Sequence, residues 1–328
     1  MYNIAIIGAT GLVGLAILNK LKEENIAIND LKLFASKKSA GTNIEFQNRI
    51  YTVEELDENS FEDLDIAFFC AGSSVSSVYV PLAIKKGILV VDNSSYFRLH
   101  DDVALVIPEV NIEDAKTSRL IANPNCSTIE ALLPIKALHD KYTVTRIQYT
   151  TYQATSGSGM KGLLDLERTL KGEKPLFYPY DISKTCIPEI DSALDNLYTK
   201  EEMKMVYETR KILHEPNLLI SATCVRVPVP NSHAISIALE LKKPFKLEEI
   251  KKTLSDFPGI RLIDDLKNHQ YPTSLHANDN DFVYVGRIRY DLSSTKGVLI
   301  YVVADNIRKG AASNAVGIIQ AMMKKGWI

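Results

Sequence analysis

One cysteine stands in a setting that could make it a nucleophile. Cys126 follows Pro124 and Asn125 in the segment LIANPNCSTIEALLPIKAL, which predicts a short strand, a tight turn and then a helix. Asn125 is a typical N-cap residue, so Cys126 would lie in the first helical turn. There the helix dipole favours thiolate over thiol and lowers the thiol pKa, which gives a nucleophile at neutral pH. A buried structural cysteine at a helix start would leave the same local pattern.

Other segments carry side chains that could support a thiolate. His233 follows the turn VPVPNS and opens a strand, where a base would be held in place, although surface and core histidines are common. Arg226 is an isolated cation in the apolar strand TCVRVPV, and a buried arginine requires an anionic partner. Arg98, after NSSYF, is a second candidate cation, although a surface arginine would have the same pattern. Glu208 and Lys211 are three residues apart on a predicted helix, a spacing typical of a surface ion pair.

A glycine-rich turn near the N-terminus predicts a nucleotide site. The segment NIAIIGATGLVGLAIL places Gly8, Gly11 and Gly14 between a strand and a helix. Glycines there let the backbone approach a pyrophosphate, which the free N–H groups and dipole of the helix then bind. The next strand ends in SKKS (36–39), where an NAD site usually has Asp or Glu. Cations and hydroxyls favour the 2′-phosphate of NADP(H), although a solvated basic turn would have the same composition.

The elements that must position these residues follow from hydrophobic patterning. In the first part of the chain, strands are predicted at 3–8, 31–36, 65–72, 87–94 and 104–109, with helices at 12–25 and 78–87. This β–α alternation predicts an α/β, Rossmann-type domain with a doubly wound parallel sheet.

After about residue 143 the pattern changes. Strand segments at 146–157, 219–229, 233–243, 281–291 and 297–306, several of which alternate polar and apolar residues, and a helix at 200–214 predict an α+β domain with a mostly antiparallel sheet. A helical tail at 311–325 is expected to pack back on the first domain.

Composition argues against several classes of protein. A length of 328 residues suggests two domains. A net charge of −2 gives no field that would attract nucleic acid or an anionic membrane. No apolar run reaches the roughly 18–20 residues needed to span a bilayer, and the N-terminus lacks the features of a signal peptide. The 4 cysteines include no CxxC pair, which argues against a disulfide framework or zinc site. We therefore expect a soluble cytoplasmic protein without a metal.

Over essentially its full length, the chain resembles the aspartate-semialdehyde dehydrogenase family. The matching stretches are IAIIGATGLVG, DNSSYFR, VIPEVN, IANPNCST, TYQATSGSG, ETRKIL, SATCVRVPV with the following His, VYVGRIR and VVADNIRKGAA. The resemblance implies NADPH-dependent reduction of L-aspartyl 4-phosphate to L-aspartate 4-semialdehyde and phosphate, through a cysteine thioacyl intermediate, in aspartate-family amino acid biosynthesis. It also implies a homodimer, with an NADP-binding domain at residues 1–126 and 309–328 and a catalytic and dimerisation domain at 127–308.

The resemblance implies a role for each catalytic candidate. Cys126 would form the thioacyl intermediate, His233 would act as general acid and base, and Gln153 would orient the acyl group. Arg226 would bind the substrate α-carboxylate. Glu208 would face the substrate amino group or the residues that anchor it.

It also implies the anion and cofactor contacts. Arg98 and Lys211 would hold the phosphate that leaves or attacks. NADP(H), bound without a covalent link, would contact loops that contain Gly8, Thr10, Gly11, Leu12, Val13, Gly14, Ser36, Lys38, Ser39, Ala71, Gly72, Ser156, Gly157 and Asn306.

Two positions depart from the family pattern. Lys38 stands where many members have Arg near the cofactor 2′-phosphate, and lysine is a point charge rather than a bidentate fork, so the preference for NADP would be weaker. Glu130, one turn into the helix of Cys126, stands where several relatives have Gln, and we expect this exchange to have little effect.

Three other functions are alternatives to this one. N-acetyl-γ-glutamyl-phosphate reductase shares the fold and the cysteine–histidine chemistry, but it accepts an acylated amine one carbon longer. The segments around Gln153, Glu208 and Arg226 favour the free amine of aspartate instead. A glyceraldehyde-phosphate-type enzyme has a different nucleophile segment. A non-catalytic NADP-binding sensor would be expected to lose reactive positions, yet Cys126 and His233 are both present.

Overall fold

The computed structural model describes all 328 residues, which divide into two compact units. Unit 1 comprises Met1–Pro124 and Ala311–Ile328, and unit 2 comprises Asn125–Gly310. The functional domain boundaries predicted after residues 126 and 308 stay a prediction. None of the helices combines the length and apolar composition that a membrane-crossing segment requires.

Unit 1 is built on a sheet of seven strands in which every neighbouring pair is parallel. Its central strands are buried and largely apolar, as expected when helices cover both faces of a parallel sheet. The strands of unit 1 are β1 (Tyr2–Ile7), β2 (Ile28–Ala35), β3 (Asn43–Phe46), β4 (Arg49–Thr52), β5 (Glu54–Glu55), β6 (Ile66–Phe69), β7 (Leu89–Asp92), β8 (Ala104–Leu105) and β9 (Leu120–Ala122). The spatial order is β5-β2-β1-β6-β7-β9-β8, while β3 and β4 form a separate antiparallel hairpin. The Rossmann-type prediction is confirmed.

Three helices connect these strands: α1 (Leu12–Glu23), α2 (Ser73–Lys85) and α3 (Pro108–Asn111). Helix α2 begins five residues before the predicted helix at 78–87, directly after Gly72, whose φ of 92° suits glycine. The strand predicted at 104–109 is only two residues long, because Pro108 already occupies the first turn of α3.

Unit 2 holds a mixed sheet of six strands with the order β11-β10-β12-β15-β14-β13. The three inner pairs are antiparallel and the two outer pairs are parallel. The strands are β10 (Val144–Gln153), β11 (Leu219–Arg226), β12 (His233–Leu241), β13 (Ile260–Leu262), β14 (Val283–Tyr290) and β15 (Gly297–Ala304). Burial alternates residue by residue along β12, so one face of the sheet lies in the core and the other is less buried.

The core face of this sheet is covered by a buried helix. The helices of unit 2 are α4 (Cys126–Tyr142), α5 (Gly159–Leu170), α6 (Lys200–Leu213), α7 (Leu247–Ser255) and α8 (Ser274–Ala277). Helix α4 is buried around most of its circumference and contacts α6, α7, β10 and β12. Such a helix gives its first residue a fixed position.

The C-terminal segment belongs to unit 1. Helix α9 (Asn314–Lys324) follows a π-helical turn at Arg308–Ser313. Its apolar residues Ala315, Val316, Ile318 and Ile319 lie in the core of unit 1. The prediction that the tail packs on the first domain is confirmed.

Candidate active site

Cys126 is the first residue of α4, as the sequence predicted. Asn125 caps this helix, because its Oδ1 accepts the N–H groups of Ser127 at 3.0 Å and Thr128 at 3.4 Å. The N–H of Asn125 donates to Oε2 of Glu208 at 2.7 Å. The start of α4 is therefore fixed by hydrogen bonds on both sides of the cysteine, and the helix dipole favours the thiolate.

The other cysteines lie in different settings. Burial raises the pKa of the Cys70 thiol and of the Cys224 thiol, so both are protonated at neutral pH. Cys186 is exposed and lies outside the named helices and strands. Only Cys126 begins a helix.

A buried carboxyl group lies one turn further along α4. Glu130 is fully buried, and neither of its carboxyl oxygens has a hydrogen-bond partner in the protein. Burial, and then the negative charge of Asp305, raise the pKa of Glu130 well above its ordinary value. A Cβ on Gly310 would lie 2.8 Å from Cβ of Cys126 and 3.1 Å from Oε1 of Glu130, so Gly310 covers both residues.

His233 is the first residue of β12 and is fully buried. Its Nδ1 accepts the N–H of Ala154 at 3.0 Å, whereas Nε2 has no partner in the protein. Burial, and then the nearby charge of Arg226, lower the pKa of His233 well below its ordinary value. The ring is therefore neutral at neutral pH, and because Nδ1 accepts a hydrogen bond, its proton is on Nε2.

Arg226 is the last residue of β11 and is buried beside His233. Its Nη1 donates to the carbonyl oxygen of Ala154. A Cβ on Gly157 would lie 2.7 Å from Nη1 of Arg226 and 3.0 Å from Cε1 of His233, so a larger residue at this position would displace the guanidinium or the imidazole. The guanidinium also borders a cleft of about 320 Å³ that Ser158, Tyr178, Glu189 and Asp191 help to line. The buried cation that the sequence predicted thus borders an open cleft.

Gln153, the last residue of β10, is linked to the cap of α4 by a residue that sequence reasoning missed. Its Nε2 donates to Oε1 of Glu201 at 3.1 Å, and the same oxygen accepts Nδ2 of Asn125 at 2.9 Å. Lys204 lies 3.0 Å from the other oxygen of Glu201. The Glu-x-x-Lys spacing of these two residues was the available signal, but that spacing is common on helix surfaces.

The two predicted phosphate ligands lie in different units. Arg98, in unit 1, is buried and donates to the carbonyl oxygens of Asn123 at 2.9 Å and Asn93 at 2.8 Å. Lys211 is half-buried in the last turn of α6 in unit 2. Glu208, three residues earlier, is 1% exposed, so the alternative of a surface ion pair does not hold for it.

The glycine-rich turn of unit 1 has the form of a pyrophosphate site. Gly11 caps α1 without a side-chain hydrogen bond, and the first turn holds no acidic residue. Gly8 has a φ of 88°, and a Cβ there would lie 2.9 Å from the carbonyl group of Cys70. A Cβ on Gly14 would overlap the carbonyl oxygen of Gly8. The close approach of the backbone leaves room for an anion at the N–H groups of the helix start.

The remaining cofactor candidates of unit 1 lie along the same edge of the sheet. They follow the carboxyl ends of β1, β2 and β6, three adjacent strands, and comprise Thr10, Leu12, Val13, Ser36, Lys38, Ser39, Ala71 and Gly72. Dinucleotides bind at this edge, where strand order reverses. The segment 36–39 forms a tight turn in which Ser39 N–H donates to the carbonyl of Ser36, and Lys38 is exposed. No acid follows β2 in this turn, so its residues fit a 2′-phosphate.

The cofactor candidates of unit 2 also lie together. Nδ2 of Asn306 donates to Oγ of Ser156 at 3.0 Å, and Oδ1 of Asn306 accepts the N–H of Ser232 at 2.9 Å. Gly157 follows Ser156 in the same short 3-10 turn.

Family comparisons match most of the chain. Residues 3–118 match the family described as "Semialdehyde dehydrogenase, NAD binding domain", and residues 135–309 match "Semialdehyde dehydrogenase, dimerisation domain".

Three relatives show the extent of the similarity. The aspartate-semialdehyde dehydrogenase of Aquifex aeolicus is 45% identical over 338 residues, which cover 100% of this chain and 99% of the relative. That of Campylobacter jejuni is 45% identical over 334 residues, covering 98% and 97%. A crystal structure of aspartate semialdehyde dehydrogenase II from Vibrio cholerae, complexed with ASA, has a TM-score of 0.94 at 40% identity and covers 99% of this chain and 98% of the other.

Proposed function

The chain belongs to the aspartate-semialdehyde dehydrogenase family, and from this premise we propose that it reduces L-aspartyl 4-phosphate to L-aspartate 4-semialdehyde with release of phosphate. The observation that carries this proposal is the position of Cys126. It starts a buried helix capped by Asn125, in the same unit as Gln153, Arg226 and His233. These are the groups that acyl transfer to a thiolate and reduction of the resulting thioester require.

Cys126 would act first, as the nucleophile. Its thiolate Sγ attacks the carbonyl carbon of the acyl phosphate, a carbon–sulfur bond forms, and the bond to the phosphate oxygen breaks. The N–H groups at the start of α4 would stabilise the oxyanion of the tetrahedral intermediate. Hydride addition to the thioester carbon and loss of the thiolate then give the aldehyde.

His233 would supply the proton-bearing atom of the site. Its Nε2–H is aimed away from Ala154, which occupies Nδ1, and it has no partner in the protein. A neutral imidazole that donates from Nε2 stabilises an oxyanion or a departing thiolate. A role as base requires a proton on Nδ1 instead, so the bond from Ala154 N–H would break during that step.

Substrate recognition would come from charge complementarity. Arg226, beside the cleft in unit 2, would bind the α-carboxylate, as a buried guanidinium suits a bidentate anion. Glu208 would face the free amine or the residues that anchor it, since a buried carboxylate favours a cation. Arg98 and Lys211 would hold phosphate. Gln153 would orient the acyl group.

Residues 3–118 match the NAD binding domain of the family, and we propose NADP(H) as the preferred form. When bound, NADPH supplies the hydride for thioester reduction. The residues that would hold it are the glycine-rich turn from Gly8 to Gly14, the Ser36–Ser39 turn, Ala71 with Gly72, Ser156 with Gly157, and Asn306. Support for the 2′-phosphate comes from Lys38 and from the lack of an acid in its turn.

We also propose that the protein is a homodimer whose contact lies in the segment 127–308, with 1–126 and 309–328 as the cofactor domain. The match of residues 135–309 to a dimerisation domain supports this proposal.

The test is phosphate-dependent NADP reduction with L-aspartate semialdehyde, in wild type and in Cys126→Ala. We expect activity only in wild type, with a loss of at least about 10⁴-fold in the variant, because removal of a nucleophile abolishes covalent catalysis. N-acetylglutamate semialdehyde is the control substrate. Turnover of that control alone would assign the protein to the related reductase, and turnover of neither would contradict an enzymatic role.

A further inference from the structure

A buried network in unit 2 centres on Glu201, a residue that the proposed mechanism does not use. Glu201 lies in the first turn of α6 and is 5% exposed. Its Oε1 accepts both Nδ2 of Asn125 at 2.9 Å and Nε2 of Gln153 at 3.1 Å. One carboxylate oxygen therefore holds the cap of the nucleophile helix and the side chain of Gln153 together.

Lys204 keeps this carboxylate ionised. Its Nζ lies 3.0 Å from Oε2 of Glu201 and 3.0 Å from Oδ2 of Asp191. Burial alone raises the pKa of Glu201, but the charge of Lys204 and the hydrogen bonds from Lys204, Asn125 and Gln153 together hold that pKa below its ordinary value. An ionised carboxylate accepts hydrogen bonds and donates none.

Because Glu201 only accepts hydrogen bonds, it determines which end of the Asn125 and Gln153 side-chain amides faces it. Both amides must turn their NH₂ groups toward it. Asn125 thereby directs Oδ1 to the N–H groups of the first turn of α4. Gln153 uses its second N–H on Oγ1 of Thr151 at 3.3 Å, so its carbonyl oxygen is the end that remains for the substrate.

From this geometry we propose that Glu201 is a positioning residue that fixes the amide orientations of Asn125 and Gln153 around Cys126. The inference rests on the proposed function, in which Cys126 is the nucleophile and Gln153 orients the acyl group. It also specifies the contact that Gln153 makes. An amide that offers only its oxygen binds a donor on the substrate, such as the ammonium group, and repels an oxyanion.

The isosteric variant Glu201→Gln separates orientation from shape. Its amide has one oxygen and one NH₂ group, and these must face Asn125, Gln153 and Lys204, all of which donate. The NH₂ group introduced at position 201 therefore faces another donor. As a result, the side-chain amide of Asn125 or Gln153 turns over or loses its hydrogen bond to position 201. We expect kcat to fall by roughly 10- to 100-fold, as for other small misplacements of catalytic groups, and the KM for the semialdehyde to rise as well, because Gln153 loses its contact with the substrate.

A second substitution should rescue this variant. In Glu201→Gln/Lys204→Met the ammonium group is gone, so the oxygen of the introduced glutamine is free to face the two amides and its NH₂ group can face Asp191. We expect the double variant to have a higher kcat than Glu201→Gln alone. A purely structural role would make the second loss additive, because Lys204 is itself a half-buried member of the network.

Glu202→Gln is the matched control in the same helical turn. Glu202 is also buried, but its oxygens accept backbone N–H groups, of Thr199 at 2.8 Å and Cys224 at 3.1 Å. We expect this variant to lose stability and to keep kcat within about twofold of wild type.

A readout without turnover keeps the two proposals distinct. In protein labelled with ¹⁵N in Asn and Gln side chains, Glu201→Gln should shift the amide signals of Asn125 and Gln153, and Glu202→Gln should shift neither. Wild-type protein without turnover would overturn the proposed function, while this spectrum would still test Glu201. Unchanged signals and a wild-type kcat in folded Glu201→Gln, or a double variant no better than the single one, would overturn the inference.

Discussion

For some residues around Cys126, residue type and neighbouring sequence predicted burial or hydrogen bonding correctly, and for others they did not. Asn125 was expected to cap α4, and it does, because a short side chain with an acceptor before a helix has few other good partners. Arg226 was expected to be buried because its neighbours in the strand are apolar, and it is buried. For His233 the sequence left a catalytic base, a surface residue and a core residue as alternatives. Its tautomer follows only from the hydrogen bond that Nδ1 accepts from Ala154.

At the residue scale, Lys38 offers a test of cofactor preference. We expect Lys38→Glu to raise the KM for NADP by about 10- to 100-fold and to leave the KM for NAD within a few-fold. A charge-assisted bond to the 2′-phosphate, about 1.5–3 kcal/mol, would be replaced by repulsion. Steady-state kinetics with both cofactors measure this ratio.

Lys37→Glu is the control, since Lys37 is exposed in the same turn. Equal losses in the two variants would indicate a general field effect of the turn rather than a contact of Lys38 with the cofactor.

At the scale of elements, patterning located most strands and helices but not all their ends. The apolar run ILVV at 88–91 predicted β7, because a continuous apolar stretch can be buried on both faces of a sheet. The start of α2 was missed because its first turn, SSVSS, is polar and carries no apolar period. The hairpin β3–β4 was missed because it is short and largely exposed. The Glu201 network could not be predicted from patterning, because it joins the cap of α4 to residues of α6 and β10 that are far away in sequence.

The buried Glu130 makes helix α4 sensitive to pH. Its folded-state pKa is raised, so between the unfolded value of about 4.3 and the folded value, the folded protein holds a proton that the unfolded chain has lost. The free energy of unfolding therefore falls as pH rises through this window. The neutral variant Glu130→Gln removes that dependence, and its stability relative to wild type should rise by up to about 1.4 kcal/mol per pH unit.

Urea unfolding at pH 5, 6 and 7 measures this difference. Glu248→Gln, at an exposed position in the first turn of α7, is the control and should follow the wild-type profile. Parallel profiles for wild type and Glu130→Gln would show that Glu130 is ionised in the folded protein.

For the whole molecule, the less buried face of the unit 2 sheet is the surface best suited to a second copy. Tyr152 and Tyr301 lie on it with ring centroids 6.4 Å apart, and both border a cleft of about 540 Å³ with Val227, Val303 and Arg287. Aromatic residues and arginine are enriched at the centres of protein interfaces.

We expect Tyr152→Arg to convert the proposed dimer into a monomer. A charge placed at the centre of an apolar contact leaves it buried without a partner, which costs several kcal/mol. Sedimentation equilibrium measures the mass. Leu292→Arg is the control, since Leu292 is fully exposed in a turn. A dimer that survives Tyr152→Arg would place the contact on another face.

The return of α9 to unit 1 has a consequence for synthesis on the ribosome. The first 124 residues emerge first, yet Ala315, Val316, Ile318 and Ile319 complete the core that includes Ile17 and Leu21. All of unit 2 is therefore translated before unit 1 has its full set of core residues. During that interval unit 1 exposes the apolar surface that these residues cover in the finished protein, and exposed apolar surface of this kind makes a nascent chain prone to aggregate. Translation of unit 1 thus begins before that of unit 2 and ends after it.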